Sequence, residues 1–427
     1  MSLITVYTQS YNTAAYIRFA PSPAASMVLL RAGVAWTILI HFCIIRLRMK
    51  NFVGNPFRFG ALALDESFTD RERERRELAG DIRNGQDVVV FARRRLGKSS
   101  LAWSAAQLVA AEGVLVAQVD LMTTPTKERL AAALAGSIFE QIASPLERVK
   151  EAALAPFRGL RIQPSVTVDP SDGSFAFSFA ATSPPEDVDA TLERLLRLPG
   201  ELAAGRGRRA ALIMDEFQQV IEIDPRLPNL MRAVFQQQPE VSHVYLGSRR
   251  HVMQRIFSDR NEPFWRSARA MELGPIPAAA FAPFVAGRFE SSGKAVAPAA
   301  VAAVLERTGG HPYATQQLCY FLWERTEPGG EADLDAAEAA LGDVLRSEHT
   351  HFLLLWEGAT PTQKLVLEAL AREPGRPFRA EYRNRHGLGP ATNVQRALTS
   401  LERREFVAGE GGAYEIVEPF LAEWLVG

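Results

Sequence analysis

A short loop between residues 92 and 99 carries side chains suited to binding phosphate. It reads Ala-Arg-Arg-Arg-Leu-Gly-Lys-Ser and fits the spacing G-x-x-x-x-G-K-[ST], except that Ala92 stands at the first position. In such a loop the backbone N–H groups point at phosphate oxygens, and the positive end of the following helix adds to the attraction. The lysine reaches the β- and γ-phosphates, and the hydroxyl is offered to Mg²⁺. The spacing therefore predicts a site for ATP and Mg²⁺.

Each residue of this loop has its own expected part in the chemistry. Gly97 should permit close approach of the backbone, Lys98 should bind and activate the phosphates, and Ser99 should hold the metal. Alanine at position 92 is tolerable if that residue keeps a negative φ angle. A chance Gly-Lys-Ser in a basic loop is the competing interpretation, which the flanking strand and helix disfavour. The residues expected to contact the nucleotide are Ala92, Arg93, Arg94, Arg95, Leu96, Gly97, Lys98, Ser99 and Ser100.

An acidic pair follows the apolar run Ala210–Met214. A buried strand that ends in Asp215 and Glu216 places both carboxylates at the carboxyl edge of a parallel sheet, beside the phosphate loop. Asp215 should hold Mg²⁺ through water, and Glu216 should polarise the attacking water as general base. Because strands often end in an acidic residue, this pair alone is a weak signal. Together with the phosphate loop it predicts an ATPase.

The pattern around these motifs predicts the elements that position them. Apolar strands alternate with helices, which indicates a parallel α/β sheet wound by right-handed crossovers. A hairpin signal at about residues 160–180 interrupts this alternation. The predicted strands are 87–91, 114–119, 210–214, 243–246 and 271–273. The predicted helices begin with one that opens at 68–78 and continue with 101–111, 127–142, 187–202 and 227–237.

The chain changes character after Pro277. We expect a helical lid without strands, and after it three helices and a hairpin in the winged-helix order. These three helices are predicted at 362–371, 380–386 and 391–403, and the hairpin at 406–417. The expected fold class is α/β, a P-loop NTPase parallel sheet with a helical lid and a C-terminal winged-helix domain. The expected domains are a doubtful extension at 1–48, the core at 49–278, the lid at 279–357 and the winged helix at 358–427.

Composition is that of a globular protein. Of the 427 residues, 47% are apolar and 23% charged, and the net charge of −1 gives no global attraction to nucleic acid or membranes. The two cysteines favour a reducing compartment, so we expect a cytoplasmic protein. Ala32–Ile45 is uncharged but shorter than the roughly 20 residues of a membrane span. Three interpretations stay open for residues 1–48: a misassigned start before Met49, a membrane anchor, or a disordered or docked arm.

The motifs resemble an AAA+-related ATPase of the STAND class, specifically the archaeal and bacterial ATPase family related to the origin-recognition ATPases. The resemblance extends from about Asn55 to Leu425. Residues 68–74 resemble the first motif of that class, with Asp70 in place of a glycine, and Asp215–Gln218 resembles its Walker B motif. The hairpin signal also resembles an insertion found in this group.

The resemblance implies further site residues. Arg71, in the first motif, should border the nucleotide base. Ser248 should contact the γ-phosphate or the attacking water at the end of its strand, and Pro312 of a Gly-His-Pro-Tyr element in the lid should contact bound nucleotide. No position matches the arginine finger of the family, although Arg266 and Arg269 precede the last strand where such fingers occur. Either arginine could instead be a solvated surface residue.

Structural explanations remain open for three of these residues. Ser248 could be an ordinary serine at a strand end, and His311 of the lid element could be a packed or capping histidine. Arg71 and Glu74 could form an intrahelical i,i+3 pair and nothing more.

The tail leaves two functions open. Residues 361–427 carry nine basic and nine acidic side chains, whereas DNA-binding domains have a basic surplus. We therefore expect an ATP-driven conformational switch with a protein client or self-association, whose third tail helix packs against the core or lid. The alternative is an ATP-regulated DNA-binding protein that uses the winged helix. Contact with a membrane is not expected.

Overall fold

The computed structural model describes residues 54–60, 70–142, 162–168, 175–181 and 186–427. Those from Asn55 onward belong to one compact unit. The first 48 residues, for which three interpretations were given, lie outside the described residues, as do Phe68 and Thr69 of the motif before the first helix. None of the helices in the described part of the chain is long and apolar enough to cross a membrane.

A parallel sheet forms the centre of the first domain. The strands described there are β1 (Val88–Ala92), β2 (Leu115–Asp120), β3 (Ile162–Val168), β4 (Phe175–Ala181), β5 (Ala210–Asp215), β6 (Val241–Gly247) and β7 (Arg269–Leu273). Five of them lie in the order β2-β5-β6-β1-β7, and every neighbouring pair is parallel. Each predicted strand of the sheet is present, with its ends correct or shifted by one or two residues. The predicted α/β fold is therefore confirmed.

Helices cover both faces of this sheet. They are α1 (Glu72–Asn84), α2 (Lys98–Ala111), α3 (Lys127–Ile142), α4 (Glu186–Arg206), α5 (Val220–Ile223), α6 (Leu227–Phe235) and α7 (Arg250–Ser258). Successive strand residues alternate between two apolar clusters, because side chains along a strand point to opposite faces. Val89 packs in the cluster with α3, α4, α6 and α7, whereas Val88 and Val90 pack in the cluster with α1 and α2. Strands β1 and β5, in the interior of the sheet, are almost entirely apolar, as expected where both faces are buried.

The predicted hairpin is formed by β3 and β4, which pair antiparallel from Ile162 opposite Ala181 to Val168 opposite Phe175. The two strands form a separate two-stranded sheet and do not join the central one. The strand signal in the sequence therefore marked an insertion.

Four helices form the lid: α8 (Ala278–Ser291), α9 (Pro298–Thr308), α10 (Pro312–Arg325) and α11 (Leu334–Glu357). The expectation of a lid without strands is wrong in one detail. Two short strands, β8 (Ala295–Val296) and β9 (Glu331–Ala332), pair in parallel between the helices. This pairing satisfies the backbone groups of the two loops that run beside each other. Two residues are too few to give a periodic signal in the sequence.

The tail has the predicted winged-helix order, with one additional helix. It comprises α12 (Pro361–Arg372), α13 (Ala380–Arg385), α14 (Ala391–Arg403), β10 (Val407–Glu410), β11 (Ala413–Ile416) and α15 (Leu421–Val426). The side chain of Thr360 accepts from Gln363 and so caps α12 in a reciprocal capping box. The expectation that α14 packs on the core or lid is wrong for its first turns, because Thr392, Asn393, Gln395 and Arg396 are all exposed.

The winged helix and the lid share apolar contacts. Phe420 and Leu421, at the start of α15, are buried in the same cluster as Phe352 of the lid. Trp424 Nε1 donates a 3.1 Å hydrogen bond to Nδ1 of His349 in α11. The additional helix α15 therefore fastens the winged helix to the lid.

Candidate functional site

The phosphate loop connects β1 to α2 at the carboxyl edge of the sheet. Ala92 is the last residue of β1 and its φ angle is not positive, so alanine at this position causes no backbone strain. Gly97 has a φ of 87° and precedes the first turn of α2, a conformation that favours glycine. Leu96 is buried in the apolar cluster below the loop and anchors it. The loop therefore has the local geometry that its sequence predicts.

Lys98 is the first residue of α2 and is only 6% exposed. Among the residues that the structure describes, no carboxylate lies within ion-pair distance of it. A buried charge without a partner is costly, and an anion at the helix N-terminus would supply one. The burial of Lys98 therefore fits a site for phosphate.

Ser99 and Asp215 meet as the sequence predicts. Ser99 Oγ donates a 2.5 Å hydrogen bond to Oδ2 of Asp215, which is the last residue of β5. Burial raises the pKa of Asp215, and the charge of Glu216 adds to this, while the Ser99 hydrogen bond and the charge of Lys98 oppose it. A hydroxyl and a carboxylate are oxygen ligands of the kind that Mg²⁺ prefers. The two side chains therefore fit a magnesium site.

Glu216 is held by two neighbours. Ser248 Oγ donates a 2.9 Å hydrogen bond to Glu216 Oε2, and Gln218 Nε2 donates to the same oxygen. Glu216 itself has a φ of 51°, in the left-handed region. Gly247 leaves room for this group, because a Cβ atom there would lie 2.8 Å from Gln218 Oε1. The sequence analysis included Gln218 in the Walker B resemblance but gave it no role of its own, although its place two residues after Glu216 was a signal.

The lid reaches the loop through its Gly-His-Pro-Tyr element. Gly310 has a φ of 71°, and a Cβ atom there would lie 2.1 Å from the carbonyl oxygen of Ile276. Beside it His311 accepts a 3.4 Å hydrogen bond from the Ala314 N–H and so caps α10. Burial lowers the pKa of this ring, and the nearby backbone of Arg94 acts in the opposite direction. His311 thus has the capping role that was one of its two interpretations.

The other predicted site residues make contacts or occupy positions of their own. Arg71 precedes α1, is buried, and donates a 2.5 Å hydrogen bond to the carbonyl of Gly274. It also forms the i,i+3 pair with Glu74 at 3.5 Å. Pro312 is the first residue of α10, and Ser100 is buried in the first turn of α2. Contact of these residues with a nucleotide remains a prediction.

The two arginine-finger candidates have different surroundings. Arg269 forms ion pairs with Asp81 and, at 3.8 Å, with Glu77. Arg266 is exposed, has a φ of 51°, and lies over the ring of Trp265 at 5.4 Å. Arg269 is therefore engaged in ion pairs within the core domain, whereas Arg266 is the more exposed of the two.

The loop arginines contact the winged-helix domain, which the sequence did not indicate. Arg93 Nη1 lies 2.6 Å from Glu415 Oε1, and Arg95 Nη1 lies 2.8 Å from Glu418 Oε1. A cavity of about 360 Å³ separates the loop from the wing in the same region. It is also lined by Ser248, so it adjoins the side of the site expected for the γ-phosphate.

Comparison with known proteins supports this description of the fold. A family model described as "Probable winged helix domain" matches residues 350–427. The structure is similar to a Walker-type ATPase of Pyrococcus abyssi at 18% identity and a TM-score of 0.63, covering 87% of this chain and 99% of that one. It is also similar to the Aeropyrum pernix ORC2 protein, solved as ADPNP–ADP complexes, at 15% identity and a TM-score of 0.53, covering 87% and 97%. A search of curated protein sequences gave no match.

These similarities are to the classes of protein that the motifs resemble. At such low identities they show a shared fold, a P-loop ATPase core followed by a winged helix, and leave substrate and partners to the residues themselves.

Proposed function

We propose that this chain binds ATP and Mg²⁺ and hydrolyses ATP to ADP and phosphate. The observation that carries the proposal is the largely buried side chain of Lys98, which has no carboxylate within ion-pair distance among the described residues and stands at a helix N-terminus. A phosphate chain at this point would supply the missing negative charge. The contact between Ser99 and Asp215 beside it supports a metal site next to the phosphates.

Each side chain then has a defined role. Lys98 donates to the β- and γ-phosphate oxygens, and Ser99 and Asp215 hold Mg²⁺, which neutralises phosphate charge when it is bound. Glu216 orients the attacking water and accepts its proton. Ser248 and Gln218 fix the Glu216 carboxylate, and Ser248 lies at the γ-phosphate side of the site.

The proposal includes a conformational switch. The ring of His311 in the lid lies near the backbone of the phosphate loop at Arg94, so a change of the loop on ATP binding would alter the contact between loop and lid. The resemblance to STAND-type ATPases supports this reading, together with a cytoplasmic location and a protein client or self-association. Closure of lid on core with ATP, and release after hydrolysis, is the cycle we propose.

An ATP-regulated DNA-binding protein is the second candidate. Its support is the exposed face at the start of α14, which displays Thr392, Asn393, Gln395 and Arg396 and no carboxylate. Polar and basic side chains on the third helix of a winged helix suit contact with DNA bases and phosphates. The absence of a basic surplus in the tail places this candidate second.

Calorimetric titration of the full chain with ATP and Mg²⁺ tests the proposal. Lys98→Ala should weaken ATP binding roughly 10- to 100-fold, because a hydrogen bond to a charged group contributes about 1.5–3 kcal/mol. The matched control is Lys364→Ala, which removes a lysine of the tail that lies over the ring of Trp356 in the lid. The same ATP affinity in the two variants would exclude the phosphate-loop assignment.

A further inference from the structure

A short segment that precedes the core domain packs on the lid. We call residues 55–59 the strap; in the sequence they come before the first helix of the core. Phe57 of the strap is 1% exposed and belongs to the apolar cluster of the lid, with its ring centre 5.3 Å from that of Phe289 in α8. The strap therefore packs as part of the lid, although the core domain follows it in the chain.

Asn55 fixes the strap near the end of α10. Its Nδ2 donates a 3.0 Å hydrogen bond to the backbone carbonyl of Tyr320 and a 2.9 Å hydrogen bond to Glu324 Oε1. Its Oδ1 accepts a 3.1 Å hydrogen bond from the N–H of Phe57, which is the local turn that asparagine side chains commonly form. Asn55 therefore both joins the strap to the helix and directs Phe57 into the lid.

The rest of the strap follows one face of α10 toward the start of that helix. The N–H of Arg58 donates a 3.4 Å hydrogen bond to Gln316 Oε1. Phe59 then packs edge-to-face on Tyr313, with 5.9 Å between the ring centres and 88° between the ring planes. Side chains three or four residues apart share a face of a helix. The residues of this face that contact the strap are Tyr313, Gln316, Tyr320 and Glu324.

Tyr313 joins the strap to the phosphate loop. It is the second residue of α10, directly after Pro312 of the lid element. Phe59 packs on its ring, and the Arg95 guanidinium lies 4.4 Å from the centre of the same ring, a distance at which cation–π attraction acts. Phe59, Tyr313 and Arg95 thus form a continuous row from the strap, across the lid, to the loop.

The backbone of Arg95 needs support from such contacts. Its φ of 61° lies in the left-handed region, which costs free energy for most residues other than glycine. Contacts of the side chain must therefore hold this conformation, and the ring of Tyr313 supplies one of them. Arg95 stands two residues before Gly97, so the same turn of the backbone presents the N–H groups expected to bind phosphate.

We propose that Phe59 is a positioning residue for the phosphate loop. By restricting the ring of Tyr313, it keeps Arg95 and the loop in the conformation that receives phosphate, and the strap as a whole holds α10 against the loop when the lid is closed. Loss of the strap should loosen the lid and weaken ATP binding. The attachment of the strap to the lid stands on the contacts described, whereas the effect on ATP rests on the proposed function.

Hydrogen exchange in the full chain, without nucleotide, tests the attachment. Phe57→Ala should accelerate exchange of the α10 amides more than that of the β6 amides, because local opening follows the contacts that are lost. Phe264→Ala removes an equally buried ring that packs on Tyr245 of β6, and it should give the reverse order. Asn55→Ala leaves the buried ring in place and should accelerate exchange in α10 roughly fivefold, by the usual contribution of a hydrogen bond.

Two results would overturn the attachment of the strap. One is exchange of α10 at the wild-type rate in both Phe57→Ala and Asn55→Ala. The other is a pattern in Phe57→Ala that matches the pattern in Phe264→Ala. If Phe57→Ala fails to fold, Asn55→Ala decides the question alone, because it removes only hydrogen bonds at the surface of the lid.

Calorimetric titration with ATP and Mg²⁺ tests the positioning role. Phe59→Ala should weaken ATP binding roughly fivefold, the lower end of the usual coupling between sites, whereas Phe59→Tyr keeps the ring and should bind ATP as wild type does. The loss should disappear in a Tyr313→Leu background, because Phe59 acts through that ring. Phe378→Ala is the matched control, since Phe378 is also partly exposed and packs edge-to-face on Tyr414 in the winged helix, with 5.7 Å between the ring centres.

The positioning role would be overturned by an unchanged ATP affinity in Phe59→Ala, or by a loss no larger than that of Phe378→Ala. The same loss in the presence and in the absence of the Tyr313 ring would overturn it as well. If wild type binds no ATP, the proposed function fails, and hydrogen exchange still decides whether the strap holds the lid.

Discussion

Ser248 and Glu216 are joined by a 2.9 Å hydrogen bond from the serine hydroxyl to the glutamate carboxylate. The two residues follow neighbouring parallel strands, β6 and β5, so the bond crosses the carboxyl edge of the sheet. Gln218 donates to the same carboxylate oxygen, and Gly247 leaves the space for its side chain. The carboxylate expected to activate water is thereby fixed by residues on both sides of it.

Glu216→Gln should separate ATP binding from hydrolysis. The amide keeps the shape of the side chain but accepts no proton, so turnover should fall by roughly 10²–10⁴-fold while ATP affinity stays near wild type. Steady-state phosphate release and calorimetry measure the two quantities. Glu222→Gln is the control, because Glu222 lies nearby and pairs with Arg249. Turnover near wild type in Glu216→Gln would show that Glu216 is not the base.

Ser248→Ala should have a smaller effect of the same kind. Glu216 keeps its charge but loses the hydroxyl that orients it, so the turnover number should fall by about tenfold with little change in KM. Because Ser248 also lines the cavity near the expected γ-phosphate, a large rise in KM would instead indicate direct contact with ATP. Single-turnover kinetics separates these outcomes.

Asp215→Asn should weaken the dependence of ATP binding on Mg²⁺. The amide can still accept the Ser99 hydrogen bond, but it lacks the charge that attracts the cation. We expect the Mg²⁺ concentration for half-maximal ATP binding to rise roughly 10- to 100-fold. Asp120→Asn is the matched control, since Asp120 pairs in register with Asp215 on the next strand. Equal shifts in the two variants would contradict a metal role for Asp215.

His311 should make stability fall in mild acid. Burial lowers the pKa of His311 from 6.5 to about 4. As pH falls from about 6.5 toward 4, the unfolded chain binds a proton at this histidine and the folded chain does not. The free energy of unfolding therefore decreases in that pH range. The loss between pH 7 and 5 should be roughly 1–2 kcal/mol, because His311 is partly exposed.

His311→Asn isolates this contribution, because asparagine can cap α10 but does not titrate. Urea unfolding at the two pH values should show a smaller difference in this variant than in wild type. His351→Asn serves as the control, since the His351 side chain is 47% exposed. An unchanged pH dependence in His311→Asn would assign the acid sensitivity to other groups.

DNA binding by the full chain should be weak at about 0.15 M salt. A face that neutralises several phosphates loses affinity steeply with salt, at roughly 0.9 logarithmic units per contact. We expect affinity for duplex DNA weaker than about micromolar, in the non-specific range, and no effect of Arg396→Ala. Tighter binding that Arg396→Ala abolishes would place the DNA-binding candidate first. Fluorescence anisotropy over a salt series measures both quantities.

The sequence indicated the candidate site because its residues lie in short contiguous motifs at strand ends. A parallel sheet is enough to bring together the two motifs Gly97–Ser99 and Asp215–Glu216. The apolar runs in the sequence predict that sheet. The helix Lys127–Ile142 was predicted with both ends correct. At the first helix the prediction of 68–78 differs from the structure, where α1 covers Glu72–Asn84. The charged sequence of α1 contains no signal for the end of the helix before Gly85, which adopts the left-handed conformation of a helix cap.

The contacts of the tail could not be predicted from the sequence. Glu418 and Arg95 are separated by 323 positions, and no periodicity connects residues so far apart. The charge count of the tail treated Glu405, Glu415 and Glu418 as ordinary surface carboxylates, although these groups pair with arginines of the phosphate loop. The short helix α15 was missed because six residues give less than two turns of pattern.

Cys319 lies at the centre of the lid, where burial is complete and raises the pKa of its thiol well above the ordinary value. Only a thiolate that reagent can reach is alkylated, so the native protein should protect this sulfur almost fully. In a Cys43→Ser variant each alkylated molecule would record one excursion in which the lid helices came apart. The rate of alkylation, measured by mass spectrometry, would then report how often the lid opens, with a native sulfur atom as the only reporter group in the protein.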